Sequence, residues 1–204
     1  MPLLDFMPLH INCWIAFPYE FFSENIGSDY SEEIMTDPNK RTEQEQLNRE
    51  YLCKRFPKIY GNIPGIVRPH LGAEVTAIPR CWGSKIRYTK NMEPHALPIL
   101  KPSDSVFSLK EPNYDDSMQW LFEEIDTIVE MGFKKNEIGF INIQGPLNIA
   151  FKVVGDTRIM SLIANKRKEK EVQHILEQSS NVFIEVTRRL RKALGRPEKS
   201  GWTM

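Results

Sequence analysis

The stretch that decides the fold runs from Gly139 to Asp156 and reads GFINIQGPLNIAFKVVGD. A short apolar run comes first, a polar residue and Gly-Pro interrupt it, and an apolar segment with helical character follows. In α/β proteins this pattern is typical of a buried strand that ends at a ligand site, with the next helix beginning there. The stretch therefore predicts a strand over residues 138–144 and a pocket at its end.

Other segments predict further strands and helices around this one. The apolar runs at 11–17 and 63–69 favour two more buried strands, and residues 74–90, with a Trp-Gly turn, favour an inserted antiparallel hairpin. Helices are expected from Asp37-Pro38 to about Phe56, with an apolar face of Leu47, Tyr51 and Leu52, and from a cap at Asp115 or Asp116 to Gly132. Three more are expected over about 147–154, 157–164 and 170–194.

Strands that alternate with helices favour a layered α/β fold or a (β/α) barrel. About three sheet strands can be recognised in the 204 residues. A closed barrel of this type needs eight strands, which is more than this chain offers. The sequence thus predicts one α/β domain over residues 1–204 with the hairpin inserted.

Composition and charge narrow the function. The chain has 41% hydrophobic and 26% charged residues, close to the globular average. Lysine plus arginine and aspartate plus glutamate both number 27, so no net charge attracts nucleic acid or an anionic membrane. The apolar start carries Asp5, His10 and Asn12 and no basic leader, which is a poor match to a signal peptide or a bilayer span. We expect neither a nucleic-acid partner nor a membrane.

The cysteines argue against a metal or disulfide framework. Cys13, Cys53 and Cys81 are an odd number at wide spacings, without a Cys-x-x-Cys pair. Cys81, beside Trp82, is a metal-ligand candidate, but its alternative as an ordinary thiol is favoured because no second Cys or close His accompanies it. We expect a reduced, cytoplasmic protein that binds no metal by itself.

The order of these segments resembles the uroporphyrinogen decarboxylase superfamily. PGIVRPHLGAEVTAIPRCWGSKIRYT, a helix, GFINIQGPLNIAFKVVGD and a long helix before GRPEKSGWTM carry the resemblance over residues 10–204. A strand that ends in Gly-Pro before a Leu-x-x-Ala-x-x-Leu/Val-x-Gly helix recurs in that superfamily, and here it runs from Gly145-Pro146-Leu147 through Ala150 to Gly155. The resemblance implies a (β/α)8 TIM barrel with either decarboxylase or corrinoid-type methyltransferase activity. It also implies that this chain is a partial (β/α)8 TIM barrel, the front half, because members of the family continue after GWTM.

Departures from the family pattern favour the methyltransferase branch. The decarboxylases carry an Arg-Gln-Ala-Gly-Arg segment after the first strand, where this chain has IAFPYEFF, and an aspartate after the second strand, where it has IVRPH. A tetrapyrrole with eight carboxylates needs several cations, so decarboxylation is the lesser alternative. The resemblance places the methyltransferases' zinc ligands, a His-x-Cys and a later Cys, beyond the residues present. The chain alone is therefore expected to bind no cofactor, with a corrinoid entering only in an intact assembly.

Seven residues are candidates for substrate binding, and each has a structural alternative. His70 and Arg68 follow the second predicted strand, where barrel enzymes keep functional groups, although a loop histidine satisfied by the backbone is the alternative. Asn142 and Gln144 point to one face of the third strand, where they either line the barrel mouth or fill its interior. Asn148 could join them or cap the next helix. Two aromatic candidates, Trp14 and Tyr19, lie beside Phe17, Phe21 and Phe22 in a cluster that either stacks on a flat ligand or packs in a core or buried interface.

An incomplete barrel also predicts partners. Ile141, Ile143 and Val67 are too apolar to face water in number, and open sheet edges invite pairing. We therefore expect a homo-oligomer or a companion half-barrel chain, together with a small-molecule substrate and a corrinoid protein. The alternative to methyl transfer is a non-catalytic half-barrel that binds a ligand or a partner chain.

Overall fold

The computed structural model describes residues 17–61, 69–72, 74–141 and 144–197. Most of the predicted strands at 11–17 and 63–69 lies outside these residues, as do the candidates Trp14, Arg68 and Asn142. Nine α-helices and one two-stranded sheet are found in the described part. The helices are α1 (Tyr19–Ile26), α2 (Glu32–Thr36), α3 (Pro38–Arg55), α4 (Pro57–Tyr60), α5 (Ala77–Cys81), α6 (Tyr114–Glu130), α7 (Pro146–Val154), α8 (Asp156–Ala164) and α9 (Glu169–Ala193), and the strands are β1 (Ile86–Thr89) and β2 (Met92–Ala96).

The helix starts follow capping chemistry that the sequence indicated. The Asp37 side chain accepts hydrogen bonds from the backbone N–H of Asn39 and Lys40, and Pro38 occupies the first turn of α3. The expected cap of α6 at Asp115 or Asp116 is wrong. Asn113 caps it instead, accepting from the Asp116 N–H at 3.3 Å. The two aspartates lie in the first turn, where they favour the positive end of the helix dipole.

The apolar face expected for α3 is confirmed for Tyr51 and Leu52, which pack against the buried residues Phe22, Tyr30 and Met35, and is wrong for Leu47. Leu47 is 56% exposed, and the polar residues Arg41 and Asn48 are buried instead. Burial of these polar groups costs little free energy because Arg41 donates to the Met35 carbonyl and Asn48 donates to the Tyr30 hydroxyl. Helix α3 thus presents a polar stripe inward.

The predicted hairpin over 74–90 lies further along the chain. Residues 74–81 are helical, with Pro79 inside α5, and the hairpin pairs Ile86 with Ala96 and Arg87 with His95. Proline is tolerated in the first turn of a helix because its missing N–H has no partner there. The Trp-Gly pair therefore ends α5 instead of turning the hairpin.

The predicted strands at 63–69 and 138–144 approach each other at their described ends. His70 and Gly139 form an isolated parallel bridge, and the Gly139 N–H donates to the Pro69 carbonyl at 2.8 Å. A Cβ on Gly139 would lie 2.8 Å from the Cβ of His70, so glycine permits this close approach. The two segments run parallel, as neighbouring strands of a (β/α)8 barrel do. The barrel itself stays a prediction.

The main core lies among α5, α6, α7 and α9. Helix α9 contributes Ile175, Val182, Val186 and Leu190 from one face, following the apolar periodicity of its sequence. Ile141, which the half-barrel argument expected to face water, is 4% exposed and belongs to this core. The prediction that Ile141 needs a second chain to cover it is therefore wrong.

Candidate functional site

A cavity of about 110 Å³ lies where α1, α2 and α3 meet His70. Five of its lining residues carry polar groups on α3 or at the end of the 63–69 segment: Arg41, Gln44, Glu45, Asn48 and His70. Tyr19, Tyr30, Ile34 and Met35 complete the wall. We call this space the Tyr19–His70 cavity.

The amide groups of the cavity are held by a hydrogen-bond network. Asn48 Oδ1 accepts from Ser28 Oγ at 2.6 Å, and Asn48 Nδ2 donates to the Tyr30 hydroxyl at 3.1 Å. Gln44 Nε2 donates to Ser28 Oγ at 2.8 Å, and its Oε1 accepts from the Asp29 N–H at 3.2 Å. Because both amides are fixed in orientation, this wall is rigid and polar.

The opposite wall is aromatic. The rings of Tyr19 and Tyr30 stack with centroids 4.2 Å apart and planes 9° apart. Tyr19 joins Phe17 and Phe21 in packing against the buried residues Phe22, Tyr30 and Met35. The aromatic cluster seen in the sequence is thus a small core, and Tyr19 is the member that reaches the cavity.

His70 is held from three sides. Its Nε2 lies 2.7 Å from Glu45 Oε1, its carbonyl accepts from Arg41 Nη2 at 2.9 Å, and its Cα and Cβ lie against Gly139. The side chains of His70 and Glu45 are 31% and 21% exposed, so the pair sits at the open side of the cavity. The backbone of His70 is therefore hydrogen-bonded, as the loop-histidine alternative expects, and its side chain also contacts Glu45.

A buried ion pair supports the His70 segment from behind. Arg41 pairs with Glu124 of α6, and both side chains are under 9% exposed. Glu124 also accepts from the Gly72 N–H at 2.8 Å, while Arg41 Nη1 donates to the Met35 carbonyl at 2.6 Å. Burial raises the pKa of the Glu124 carboxyl above its ordinary value, and the Arg41 guanidinium opposes that rise. The pair joins α3, α6 and the chain after His70.

Gln144 and Asn148 lie at a second, more open cavity of about 390 Å³. Phe151, Lys152 and Asp156 complete its lining, so it follows the end of the predicted third strand and one side of α7. Lys152 Nζ lies 3.3 Å from His95 Nδ1 of β2. Burial, together with the Lys152 ammonium, lowers the pKa of His95 below its ordinary value.

The structure thus brings the described candidates together in two groups, Tyr19 with His70 and Gln144 with Asn148. Sequence reasoning missed Arg41, Gln44, Glu45 and Asn48. The signal that could have found them is their spacing, because positions 41, 44, 45 and 48 share one helix face.

The described residues offer no metal centre. No three His, Cys, Asp or Glu side chains come together within residues 17–61, 69–72, 74–141 and 144–197. Burial raises the pKa of the Cys81 thiol to about 12, so the thiol is protonated at neutral pH. These residues therefore do not fit the zinc of the methyltransferase branch.

Among the described residues, the structure contains no helix that is both long and apolar enough to span a bilayer.

Comparisons with known proteins give one structural likeness. No protein-family model and no curated protein matches the sequence. Among solved structures, the chain is similar to a methyltransferase from Methanosarcina mazei. The sequences are 16% identical, the TM-score is 0.53, and the match covers 88% of this chain and 48% of that chain. The chain thus has a methyltransferase-like fold and spans about half the length of that protein.

Proposed function

We propose that this chain is the N-terminal half of a methyltransferase-type barrel of the uroporphyrinogen decarboxylase superfamily, and that it supplies the small-molecule side of a corrinoid-dependent methyl transfer. The observation that carries the proposal is the likeness to the Methanosarcina mazei methyltransferase over 88% of this chain and 48% of that one. The superfamily part of the proposal is supported by the resemblance in the order of the sequence segments and not by that comparison.

The position of the Tyr19–His70 cavity supports this role. His70 follows the second predicted strand directly, and the active sites of barrel enzymes lie at the carboxyl ends of their strands. Gln144 and Asn148 follow the third predicted strand in the same sense. The bridge between His70 and Gly139 is parallel, which is the direction that neighbouring barrel strands need. It pairs the end of the 63–69 segment with the start of the 138–144 segment, so His70 and Gln144 line separate cavities.

The volume of the Tyr19–His70 cavity limits the size of the ligand that it can enclose. Small-molecule sites usually measure about 300–1,000 Å³, and the Tyr19–His70 cavity of about 110 Å³ is smaller, so it does not enclose a corrinoid. The described residues fit neither that cofactor nor the zinc, and we route no chemical step through either group. The contribution that we propose for this chain is to bind and orient the small reactant, while a corrinoid protein and a companion half-barrel or second copy supply the rest. A cytoplasmic location follows from the same assignment.

A non-catalytic, ligand-binding half-barrel is the second candidate. The observation that favours it is the fixed network of Ser28, Gln44 and Asn48, which shapes a site without presenting a nucleophile. Decarboxylation of a tetrapyrrole has less support, because Arg41, the cavity's one arginine, is already paired with Glu124.

Visible absorbance of free methylcob(III)alamin tests the methyl-transfer proposal when it is mixed with the assembly that co-purifies with the tagged chain from cells that express it naturally. We expect the assembly, and not this chain alone, to remove the methyl group from methylcob(III)alamin. The variant His70→Asn is expected to slow this loss at least about tenfold, the size of one lost hydrogen bond to a charged partner. His174→Asn is the matched control, since His174 lies on α9 beside Phe107 and outside the cavity.

An unchanged methylcob(III)alamin spectrum in the presence of the co-purified assembly, or equal effects of the two histidine substitutions, would contradict the proposal. Binding of a small ligand without any corrinoid response would favour the non-catalytic candidate.

A further inference from the structure

We propose that the Tyr19–His70 cavity is a binding site for a small organic monocation, with Glu45 as its counter-ion. The inference rests on the charges, hydrogen bonds and size of the cavity, and it holds whether or not the chain takes part in methyl transfer.

Charge is the first argument. Among the nine lining residues, Arg41 carries a positive charge that is already compensated by Glu124, and it also donates to the carbonyls of Met35 and His70. The remaining charged group is Glu45, beside His70. With His70 neutral, this pair has a net charge of minus one, and with His70 protonated it is neutral. The lining carries an excess negative charge when His70 is neutral and none when His70 is protonated. The cavity therefore favours cations over anions in the state with neutral His70, which is the state that we propose binds the ligand.

Hydrogen-bonding capacity gives the same answer. An anion needs donors, but the amide Nε2 of Gln44 is directed at Ser28 and the amide Nδ2 of Asn48 at the Tyr30 hydroxyl. An ammonium group needs oxygen acceptors instead, and a carboxylate has about four lone-pair sites, so Glu45 can accept from a ligand as well as from His70. The polar wall is therefore suited to a donor ligand.

Size and the apolar wall define the rest of the ligand. A volume of about 110 Å³ equals that of roughly four water molecules in the liquid, so the ligand has about four non-hydrogen atoms. Ile34 and Met35, with the stacked Tyr19 and Tyr30, provide an apolar surface for a short alkyl group. The ligand class that matches both walls is a short alkylammonium ion.

The test compares three ligands of nearly equal size and different charge: propylammonium, 1-propanol and propionate. Each is titrated into the ¹⁵N-labelled chain while amide chemical shifts are followed by NMR. We expect saturable shifts with propylammonium, centred on Glu45, His70 and Gln44, and at least about tenfold weaker effects with the other two ligands. Because this comparison uses the unmodified chain, it does not depend on any variant folding.

Two variants locate the charge. Glu45→Gln removes the carboxylate charge and keeps a similar shape, and we expect it to weaken propylammonium binding at least about tenfold. Glu43→Gln makes the same chemical change at an exposed position of α3 outside the cavity, and we expect it to leave binding within about twofold.

Binding of propionate or 1-propanol as tightly as propylammonium would overturn the proposal, as would the absence of shifts with all three ligands or equal effects of Glu45→Gln and Glu43→Gln. These outcomes do not depend on methylcob(III)alamin, so the cation site and the methyl-transfer proposal can fail separately.

Discussion

Replacing Glu124 with alanine is expected to lower the free energy of unfolding by about 3–5 kcal/mol, because it leaves the Arg41 charge buried without its partner. The same substitution removes the acceptor of the Gly72 N–H. Urea or guanidinium denaturation followed by circular dichroism measures the change. The expected loss is a large fraction of the stability of a typical domain.

Two matched variants separate the buried pair from a general effect on α6. Glu123→Ala makes the same change at the neighbouring exposed position and should alter stability by no more than about 0.5 kcal/mol. The double variant Arg41→Met, Glu124→Leu should recover most of the loss, since it removes both buried charges together. If Glu124→Ala is as mild as Glu123→Ala, the pair does not join α3 to α6 as described.

Shortening Leu190 to alanine is expected to cost about 2–5 kcal/mol, the range for large-to-small changes in a closed core. Leu190 is fully buried on the inward face of α9, among residues of the main core. Thermal or chemical denaturation measures this change as well. The loss includes both the transfer of the removed methyl groups and the cavity that they leave.

Ile184→Ala is the control on the same helix, because Ile184 is 61% exposed. We expect it to change stability by less than about 0.5 kcal/mol. Equal losses at positions 184 and 190 would contradict the assignment of the buried face of α9.

Most helices could be predicted because their signals are local. Capping by Asp37, the Pro146 start of α7 and the glycines at 132 and 155 depend on the residues next to them. The hairpin was misplaced because Trp82-Gly83 is read equally well as a turn between strands or as the end of a short helix. In the structure, α5 packs against α6, α7 and α9, and these contacts favour a helix over residues 77–81. The sequence does not show this packing.

Only two lining residues of the Tyr19–His70 cavity, Tyr19 and His70, could be predicted from the sequence. Tyr19 and His70 stand out as an aromatic cluster and as a histidine after a predicted strand, so pattern reading finds them. Glu45 and Arg41 lie in a polar helix whose inward face was assigned from its apolar residues, and that rule fails when the helix buries hydrogen-bonded polar groups. The pairing of Arg41 with Glu124 spans 83 positions, which no local pattern could show.

The half-barrel proposal predicts that this chain associates with a second copy or a companion chain. Exposure of Ile141 gives no support to this prediction, because Ile141 is buried within the single chain. The match covers about half of the Methanosarcina mazei methyltransferase. The half-barrel proposal takes the remaining strands from a second copy or a companion chain. Large apolar side chains remain exposed on several helices, among them Leu147, Met160 and Ile163. A surface with balanced charge gives little protection against pairing through them.

The mass of the protein in solution tests the half-barrel claim most directly. Light scattering on dilute, monodisperse protein is expected to give at least twice the 23.8 kDa of one chain, from a second copy or a companion chain. The interface should bury on the order of 2,000 Å² or more, the range of obligate assemblies. A single 23.8 kDa species that unfolds in one cooperative transition would contradict the claim that this chain is half of a barrel.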